Sequence, residues 1–228
     1  MRALLLSAGK GTRLGNLSKN TPKCLIKINK ITLIEQWINK LLEEGVTNIL
    51  VNTHHQHLKI KKFLRKKNYR IKITTTYEKN LLGGYGTMYK NKKFFGKKNF
   101  LVIHSDNYFE GNLKKFILFC KKNSSYKTNI LAFKTSDYRN TGILKIDRRH
   151  ILKRIYEKNN KKKGEWANAA VYYFSKDIWN DLKKENTKFD LAKDLLKRYY
   201  GKAKVFKTNH YFADIGIKKN LKKLNYEI

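Results

Sequence analysis

The chain has 228 residues, of which 41% are hydrophobic and 13% aromatic, enough for a sizeable buried core and too many for a disordered chain. Its 52 Lys and Arg against 17 Asp and Glu give a formal charge of +35, which favours anionic ligands. No apolar run approaches the roughly 18–20 residues that cross a bilayer, so no membrane partner is expected, and Met1–Gly9 is too short and too soon interrupted for a signal peptide. Cys24 and Cys120 lie far apart, outside any CxxC pattern, which suits thiols in a reducing cytoplasm.

In chain order, Ala3–Ser7 reads as a buried strand running into a glycine-rich loop. Thr32-x-x-Glu35 is a capping box, and Ile34, Trp37, Ile38, Leu41 and Leu42 recur at helical spacing until Gly45. Asn48–Asn52 is the next strand, Leu58–Lys67 a basic helix and Ile71–Thr76 another strand. Tyr85–Phe95 is predicted helical, Phe100–His104 a strand leading into Ser105-Asp106, Gly111–Asn123 a helix and Ile130–Lys134 a strand. Gly142–Ile146, Ile151–Tyr156 and Ala169–Phe174 are predicted strands with short connections, Phe189–Tyr200 a late helix and Ile217–Leu224 a short terminal one. Alternating strands and helices predict an α/β class: a single-domain α/β/α sandwich with a Rossmann-like, mostly parallel sheet and a β-rich lobe. The pattern changes after residue 134, so two halves are expected, over about 1–134 and about 135–228. In such sheets, ligands lie at the carboxyl ends of strands.

The loop reads Ala8-Gly9-Lys10-Gly11-Thr12-Arg13-Leu14. Its glycines let backbone N–H groups approach an anion, and Arg13 can add a bidentate clamp. It is neither a P-loop nor a dinucleotide fingerprint, since it lacks GxxxxGK[ST] and the third glycine of GxGxxG. No acidic residue precedes Glu35, whereas Arg2, Lys10, Arg13, Lys19, Lys23, Lys27 and Lys30 do, so the whole region is locally positive. His54-His55-Gln56-His57 has no Cys or acidic neighbour and reads as a loop or helix start rather than a metal site.

The longer string Leu5–Leu14, followed by Thr21-Pro22-Lys23-Cys24-Leu25, resembles the signature of sugar-1-phosphate nucleotidyltransferases, in particular the mannose/heptose-1-phosphate guanylyltransferase-like members. Leu81-Leu82-Gly83-Gly84-Tyr85-Gly86 resembles their base-binding segment, and Val102–Asp106 a hydrophobic strand ending in Gly-Asp. Glu157-Lys158 stands in the place of Glu-Lys-Pro, Trp166–Tyr172 in that of Asn-Ala-Gly-x-Tyr, and Ala213-Asp214-Ile215-Gly216 in that of Asp-Ile-Gly-Thr. Departures from the pattern include Ser7 for a small Ala, Cys24 for the second proline, Ala170 for glycine and Ile217 for threonine.

The resemblance implies attack of a sugar 1-phosphate oxygen on the α-phosphorus of a nucleoside triphosphate, with pyrophosphate leaving. Two anions must meet, so positioning and charge neutralisation carry the catalysis. It implies Arg13, Lys23 and Asp106 as catalytic residues, Arg13 on the β- and γ-phosphates and Lys23 beside the α-phosphate. Ser7, Ala8, Gly9, Lys10, Gly11, Thr12 and Arg13, with Gly83 and Gly86, are the implied nucleotide-binding residues. Asp106 and Asp214 are the implied ligands of Mg2+, an ion that commonly takes one or two carboxylates plus substrate phosphates. Gly142, Glu157, Lys158 and Asn168 are the implied substrate-binding residues.

The resemblance makes about 1–134 the nucleotide-binding half and about 135–228, with its β-rich sugar-binding lobe, the sugar-phosphate-binding half. Gly86 occupies a place that is often Gly in guanylyltransferases and some uridylyltransferases of the family, which favours GTP as donor for surface-glycan precursor synthesis. A cytidylyl- or uridylyltransferase acting on another sugar phosphate or a phosphocholine-like acceptor stays open, as does a non-catalytic basic nucleic-acid-binding relative. The sequence leaves self-association into a homo-oligomer open. The lysines are spread along the chain in pairs and triplets without a segregated basic tail, so they read as a solvated surface and no specific nucleic acid is expected. Duplex DNA should therefore bind weakly, with an affinity that collapses as salt rises from about 50 to 200 mM. Sequence-selective binding that survives physiological salt in a titration would overturn this.

Overall fold

The chain opens with β1 (Arg2–Leu6), in which Ala3, Leu4 and Leu5 are wholly buried, as suits a strand covered on both faces. The computed structural model describes residues 1–157, 164–183, 189–224 and 226–227. A 3₁₀ turn at Thr12–Leu14, the one-turn helix α1 (Asn16–Lys19) and a second 3₁₀ turn at Lys23–Leu25 lead to β2 (Lys27–Ile28) and β3 (Ile31–Thr32). These two short strands, not foreseen from periodicity, are joined by Asn29 and Lys30, both at positive φ as a two-residue hairpin turn requires. In α2 (Leu33–Glu43) the Thr32 hydroxyl accepts a hydrogen bond from the Glu35 amide, so the helix starts where the capping box places it. β4 (Asn48–Thr53), α3 (His57–Lys66) and β5 (Lys72–Tyr77) follow. β1, β4 and β5 make a parallel ladder, with Leu4 opposite Leu50 and Ile49 opposite Ile73.

The helix predicted over Tyr85–Phe95 is two helices, α4 (Gly83–Lys90) and α5 (Lys92–Phe95). Asn91 stands between them and turns its side-chain amide back onto the Thr87 carbonyl at 2.8 Å, competing with the helix ladder. Then come β6 (Phe100–His104), β7 (Asn107–Phe109), α6 (Lys114–Lys122), β8 (Thr128–Lys134), β9 (Ile143–Ile146), β10 (Leu152–Tyr156) and β11 (Trp166–Phe174). The helix predicted over Phe189–Tyr200 is instead a π-helical turn, Leu191–Leu195, followed by a 3₁₀ turn, Leu196–Tyr199. The Asp190 carboxylate accepts from the Ala192 and Lys193 amides, and its carbonyl accepts from Leu195 five residues on. This wide turn directs Leu191, Leu195, Leu196 and Tyr199 inward together. β12 (Ala203–Thr208), β13 (Phe212–Asp214), α7 (Lys218–Lys222) and β14 (Tyr226–Glu227) complete the chain.

Residues Met1–Leu81, Ile103–Asn112 and Phe212–Ile228 gather into one compact unit, and Leu82–Val102 with Leu113–Tyr211 into a second. The α/β class expected from the strand–helix alternation is the one adopted. In the first unit, Leu14, Ile26, Ile28, Leu33, Tyr108, Ala213, Ile215 and Leu221 form a core cluster beneath the loop region. Fully buried Trp37 of α2 donates its indole N–H to the Asn107 carbonyl at 2.9 Å and stacks on Phe109 at 6.0 Å. β7 is thereby fixed and pairs antiparallel with β13, Asn107 opposite Asp214. In the second unit, β8 pairs antiparallel with β11 and parallel with β12, while β9 pairs with β10 and meets β11 at Ala167–Ile143. Phe95, Phe100, Phe174 and Trp179 pack ring against ring there. Among the described residues, no helix is long and apolar enough to cross a membrane.

Trp37→Phe removes the donor to the Asn107 carbonyl and leaves unfilled volume behind Phe109. It should lower unfolding free energy by about 2 kcal/mol, read by urea denaturation. A loss below about 0.5 kcal/mol would mean that this indole does not anchor β7.

Candidate active site

The loop after β1 keeps its shape by its own hydrogen bonds. Gly11 sits at φ +74, a conformation that glycine enters without penalty, and its carbonyl accepts from the Leu14 amide at 2.9 Å and the Ser18 hydroxyl at 2.7 Å. Gly9, Lys10, Thr12 and Arg13 are exposed on this loop, while Ala8 and Gly11 are buried beneath it. Ser7 differs from the rest of the segment. Its backbone N–H donates to Asn52 Oδ1 at 2.7 Å, and its hydroxyl lies 2.7 Å from that of Ser105, so both are engaged below the loop.

Four charged side chains of the first unit converge above that floor. Lys23, only 9% exposed, holds Asp106 Oδ2 at 3.0 Å, and Arg13 Nη2 faces Asp214 Oδ2 at 3.6 Å. Asp106 and Asp214 come together because β7 and β13 pair: Asp214 is registered with the residue that follows Asp106. Burial works against ionisation of Asp106, but the Lys23 ammonium and neighbouring His104 outweigh it and hold the carboxyl below its usual range. Gly216 lies at the centre of the group. A Cβ built on it would stand 2.8 Å from Asp214 Oδ1, 2.8 Å from Lys23 Nζ and 3.1 Å from Arg13 Nη2, so the missing side chain leaves a cradle where these groups meet. The Gly216 amide also donates to Asp214 Oδ1 at 2.7 Å, fixing that carboxylate. Two carboxylates beside such a cradle are hard oxygen donors of the kind magnesium takes with substrate phosphates, so the residues present fit that ion. No cluster of three or more His, Cys, Asp or Glu is found among the described residues.

The floor contains residues that motif reading missed. Asn52 bridges the Ser7 amide to Glu78 Oε1 at 2.9 Å, and Glu78 is 1% exposed. The Glu78 carbonyl lies 2.8 Å from His54 Nδ1, which gives the first histidine of the cluster a structural partner. Glu78 could have been suspected from sequence, because it is the first acidic residue after Glu44 in a long basic stretch. Cys24 lies against the Ser7 side chain, so two departures from the family signature touch one another. Burial, reinforced by the Asp106 carboxylate, pushes the Cys24 thiol up to about 12, which makes it a packed apolar group rather than a nucleophile.

The remaining expected residues lie in the second unit, except Lys158, which falls outside the described residues. Gly83, at φ +74, begins α4 against Phe189: a Cβ there would stand 2.4 Å from the Phe189 carbonyl oxygen. At Gly86 a Cβ would meet that of Leu82 at 3.0 Å. Gly142, Glu157 and Asn168 form a group: the Gly142 carbonyl accepts from the Asn168 amide at 2.9 Å, and a Cβ on Gly142 would lie 3.9 Å from Glu157 Oε1. Asn168 Oδ1 accepts from the Ala170 amide and its Nδ2 donates to the Tyr172 hydroxyl, both at 2.9 Å. These bonds hold a bulge in β11 at which Ala170 takes the left-handed φ of +53. Burial, joined by Asp190 and Glu157, raises the Tyr172 phenol above its usual value, so the oxygen that accepts from Asn168 belongs to a neutral hydroxyl.

Gly216→Ala tests the cradle. The atoms it would displace are tips of flexible side chains, and Gly216 has no left-handed φ, so melting should stay within about 2 °C of wild type. Binding of a nucleoside triphosphate with magnesium, followed by calorimetry, should weaken at least about 10-fold. Unchanged affinity would show that the ligand does not use this space.

Residues 2–228 match the family model described as nucleotidyl transferase. D-glycero-alpha-D-manno-heptose 1-phosphate guanylyltransferase of Campylobacter jejuni is 29% identical over 218 residues, covering 95% of both chains. The bifunctional protein GlmU of Methanocaldococcus jannaschii is 30% identical over 223 residues, which cover 95% of this chain and 51% of that protein. The crystal structure of HddC from Yersinia pseudotuberculosis complexed with GMP-PN superposes with a TM-score of 0.82 at 28% identity, covering 97% of this chain and 96% of that one. A match over nearly the whole length, on a fold shared with HddC, places the chain in the nucleotidyl transferase family.

Proposed function

We propose that the chain condenses GTP with a sugar 1-phosphate of the heptose or mannose type, releasing pyrophosphate and forming a nucleotide sugar for surface glycans. The observation that carries this proposal is the convergence of Arg13, Lys23 and Asp214 on the cradle left by Gly216, with Asp106 paired to Lys23. Relatives named as heptose- and mannose-1-phosphate guanylyltransferases support the choice of donor and acceptor.

An attacking phosphate is already ionised and needs little help from a general base; the barrier is the approach of one anion to another. Arg13 is half exposed at the rim of the loop, suited to reach the β- and γ-phosphates with its planar fork. Lys23 is buried at the floor and presents one ammonium, suited to the α-phosphate, where charge builds as pyrophosphate departs. Each of these cations rests against a carboxylate, Arg13 on Asp214 and Lys23 on Asp106. On binding, both cations exchange carboxylate for phosphate. Magnesium, held by Asp106 and Asp214, would neutralise the phosphate charge further. Gly83 and Gly86 are proposed to let the base approach α4 closely. Glu157, Asn168 and the backbone at Gly142 would take hydroxyls of the acceptor ring, with Lys158 on its phosphate.

The test is pyrophosphate release with GTP, CTP, UTP and dTTP against a panel of sugar phosphates, in wild type and in Asp106→Asn, Asp214→Asn and the double variant. GTP should give the highest kcat/KM. Each single variant should lose 2–4 orders of magnitude in kcat at saturating magnesium, roughly 3–5 kcal/mol on the barrier, and the double should be little worse than the worse single. Retention of more than about a tenth of wild-type turnover by either single variant would remove that residue from the metal site. A clear preference for CTP or UTP would refute the donor while leaving the reaction class standing.

A further inference from the structure

α1 has only one turn, and Gly15 at its start provides no side-chain cap. A helix this short does not hold itself, since a single turn fixes its residues for almost no hydrogen bonding. It nevertheless carries the chain out of the phosphate loop, and its Ser18, 5% exposed, ties back to the loop by donating to the carbonyls of Gly11 at 2.7 Å and Gly15 at 3.2 Å. Ser18 also forms the wall of the loop: a Cβ on Gly11 would come within 2.7 Å of the Ser18 Cβ. The position of α1 thus sets the shape of Gly11–Arg13.

α1 is held from the corner between β4 and α3. Gln56 Nε2 donates to the Ser18 carbonyl at 3.2 Å and the Lys19 carbonyl at 3.0 Å, while Lys59 Nζ donates to the carbonyl of Asn20. Gln56 occupies the left-handed region at φ +53, where an L side chain is strained and glycine is not. Its Oε1 is buried without a hydrogen-bond partner among the described residues. The amide is therefore oriented for its N–H groups, and both strain and an unmatched oxygen accompany that orientation.

We infer that Gln56 is a positioning residue for the nucleotide: it clamps α1 and, through Ser18, holds the Gly11–Arg13 loop in the form that receives the triphosphate. The inference rests on the proposed role of that loop. Its amide donates to the carbonyls of Ser18 and Lys19, so it acts through the backbone it holds.

Gln56→Gly separates this role from a contribution to the fold, because glycine relieves the backbone strain while deleting the clamp. Three quantities are measured on the full chain: melting temperature, amide hydrogen exchange over residues 9–20, and steady-state constants for both substrates. Melting should equal or exceed wild type. Exchange over 9–20 should quicken at least about 10-fold with β1 and β4 unchanged, and KM for the nucleotide should rise about 10-fold while KM for the acceptor phosphate stays within about 2-fold. Wild-type exchange over 9–20 together with a wild-type nucleotide KM would overturn the inference. A fall in melting temperature with both KM values rising alike would also overturn it, by making Gln56 a fold residue. If wild-type protein releases no pyrophosphate with any nucleotide, the proposed function fails, and the exchange measurement still decides whether Gln56 holds the loop.

Discussion

Charge compensation across a single short ladder organises the first unit. β7 and β13 have three residues each, yet their pairing brings Asp106 and Asp214 to the same place and sets them opposite Lys23 and Arg13. Each partially buried charge would be costly without its partner. Trp37 secures one side of the ladder through the Asn107 carbonyl, and Phe212 packs on Phe109 across it at 5.8 Å. Gly216 keeps the centre clear, because any side chain there would occupy the space on which the charges converge. The two ion pairs hold Arg13 and Lys23 at fixed places beside the Gly216 cradle, and each carboxylate offsets the charge of its cation.

Beneath this layer, the departures from the family signature form a local solution of their own. Ser7 and Cys24 stand where a small apolar residue and a proline are usual; they meet each other, and Ser7 also meets Ser105. The Ser7 amide is held by Asn52, and Asn52 by Glu78, so a continuous set of buried polar groups supports the end of β1. Such a network rigidifies what rests on it when its members are satisfied. In the second unit, the Asn168 side chain plays the comparable part: by bonding both Ala170 and Tyr172 it maintains a left-handed alanine in mid-strand where the family pattern has glycine. The substitution places strain at the bulge, and the side-chain bonds of Asn168 offset it.

The features legible in the sequence are those whose cause is local. The continuous apolar run Ala3–Leu5 specified a buried strand, Thr32-x-x-Glu35 specified the start of α2, and the spacing of Ile34, Trp37, Ile38 and Leu41 specified its buried face. The same local reading failed over Phe189–Tyr200, where Asp190 captures the amides of Ala192 and Lys193 and turns an apparent helix into a π turn, and over Tyr85–Phe95, which Asn91 divides. In both cases a short polar side chain competed with the helical ladder, an effect that hydrophobic periodicity does not register. The loop motif, its basic surroundings and the order of the signature segments pointed to a nucleotidyltransferase before any coordinates were needed.

By itself, then, the sequence determined the reaction class, the residue types at the site and the elements formed by near neighbours, because a few adjacent residues suffice for each. Tertiary structure decided which groups meet. The pairing of Lys23 with Asp106, of Arg13 with Asp214, of Asn52 with Ser7 and Glu78, and of Gln56 with the end of α1 joins segments that no local period or propensity links. It also decided that the space beside Gly216 adjoins Asp214, Lys23 and Arg13 and that Ser7 bonds Asn52 and Ser105. Residue identity sets which charges and hydrogen bonds are available. Only the pairing of β1 with β4 and of β7 with β13, and the hold of α2 on β7, determine the distances at which they act, and electrostatic and steric effects at a site are set by those distances.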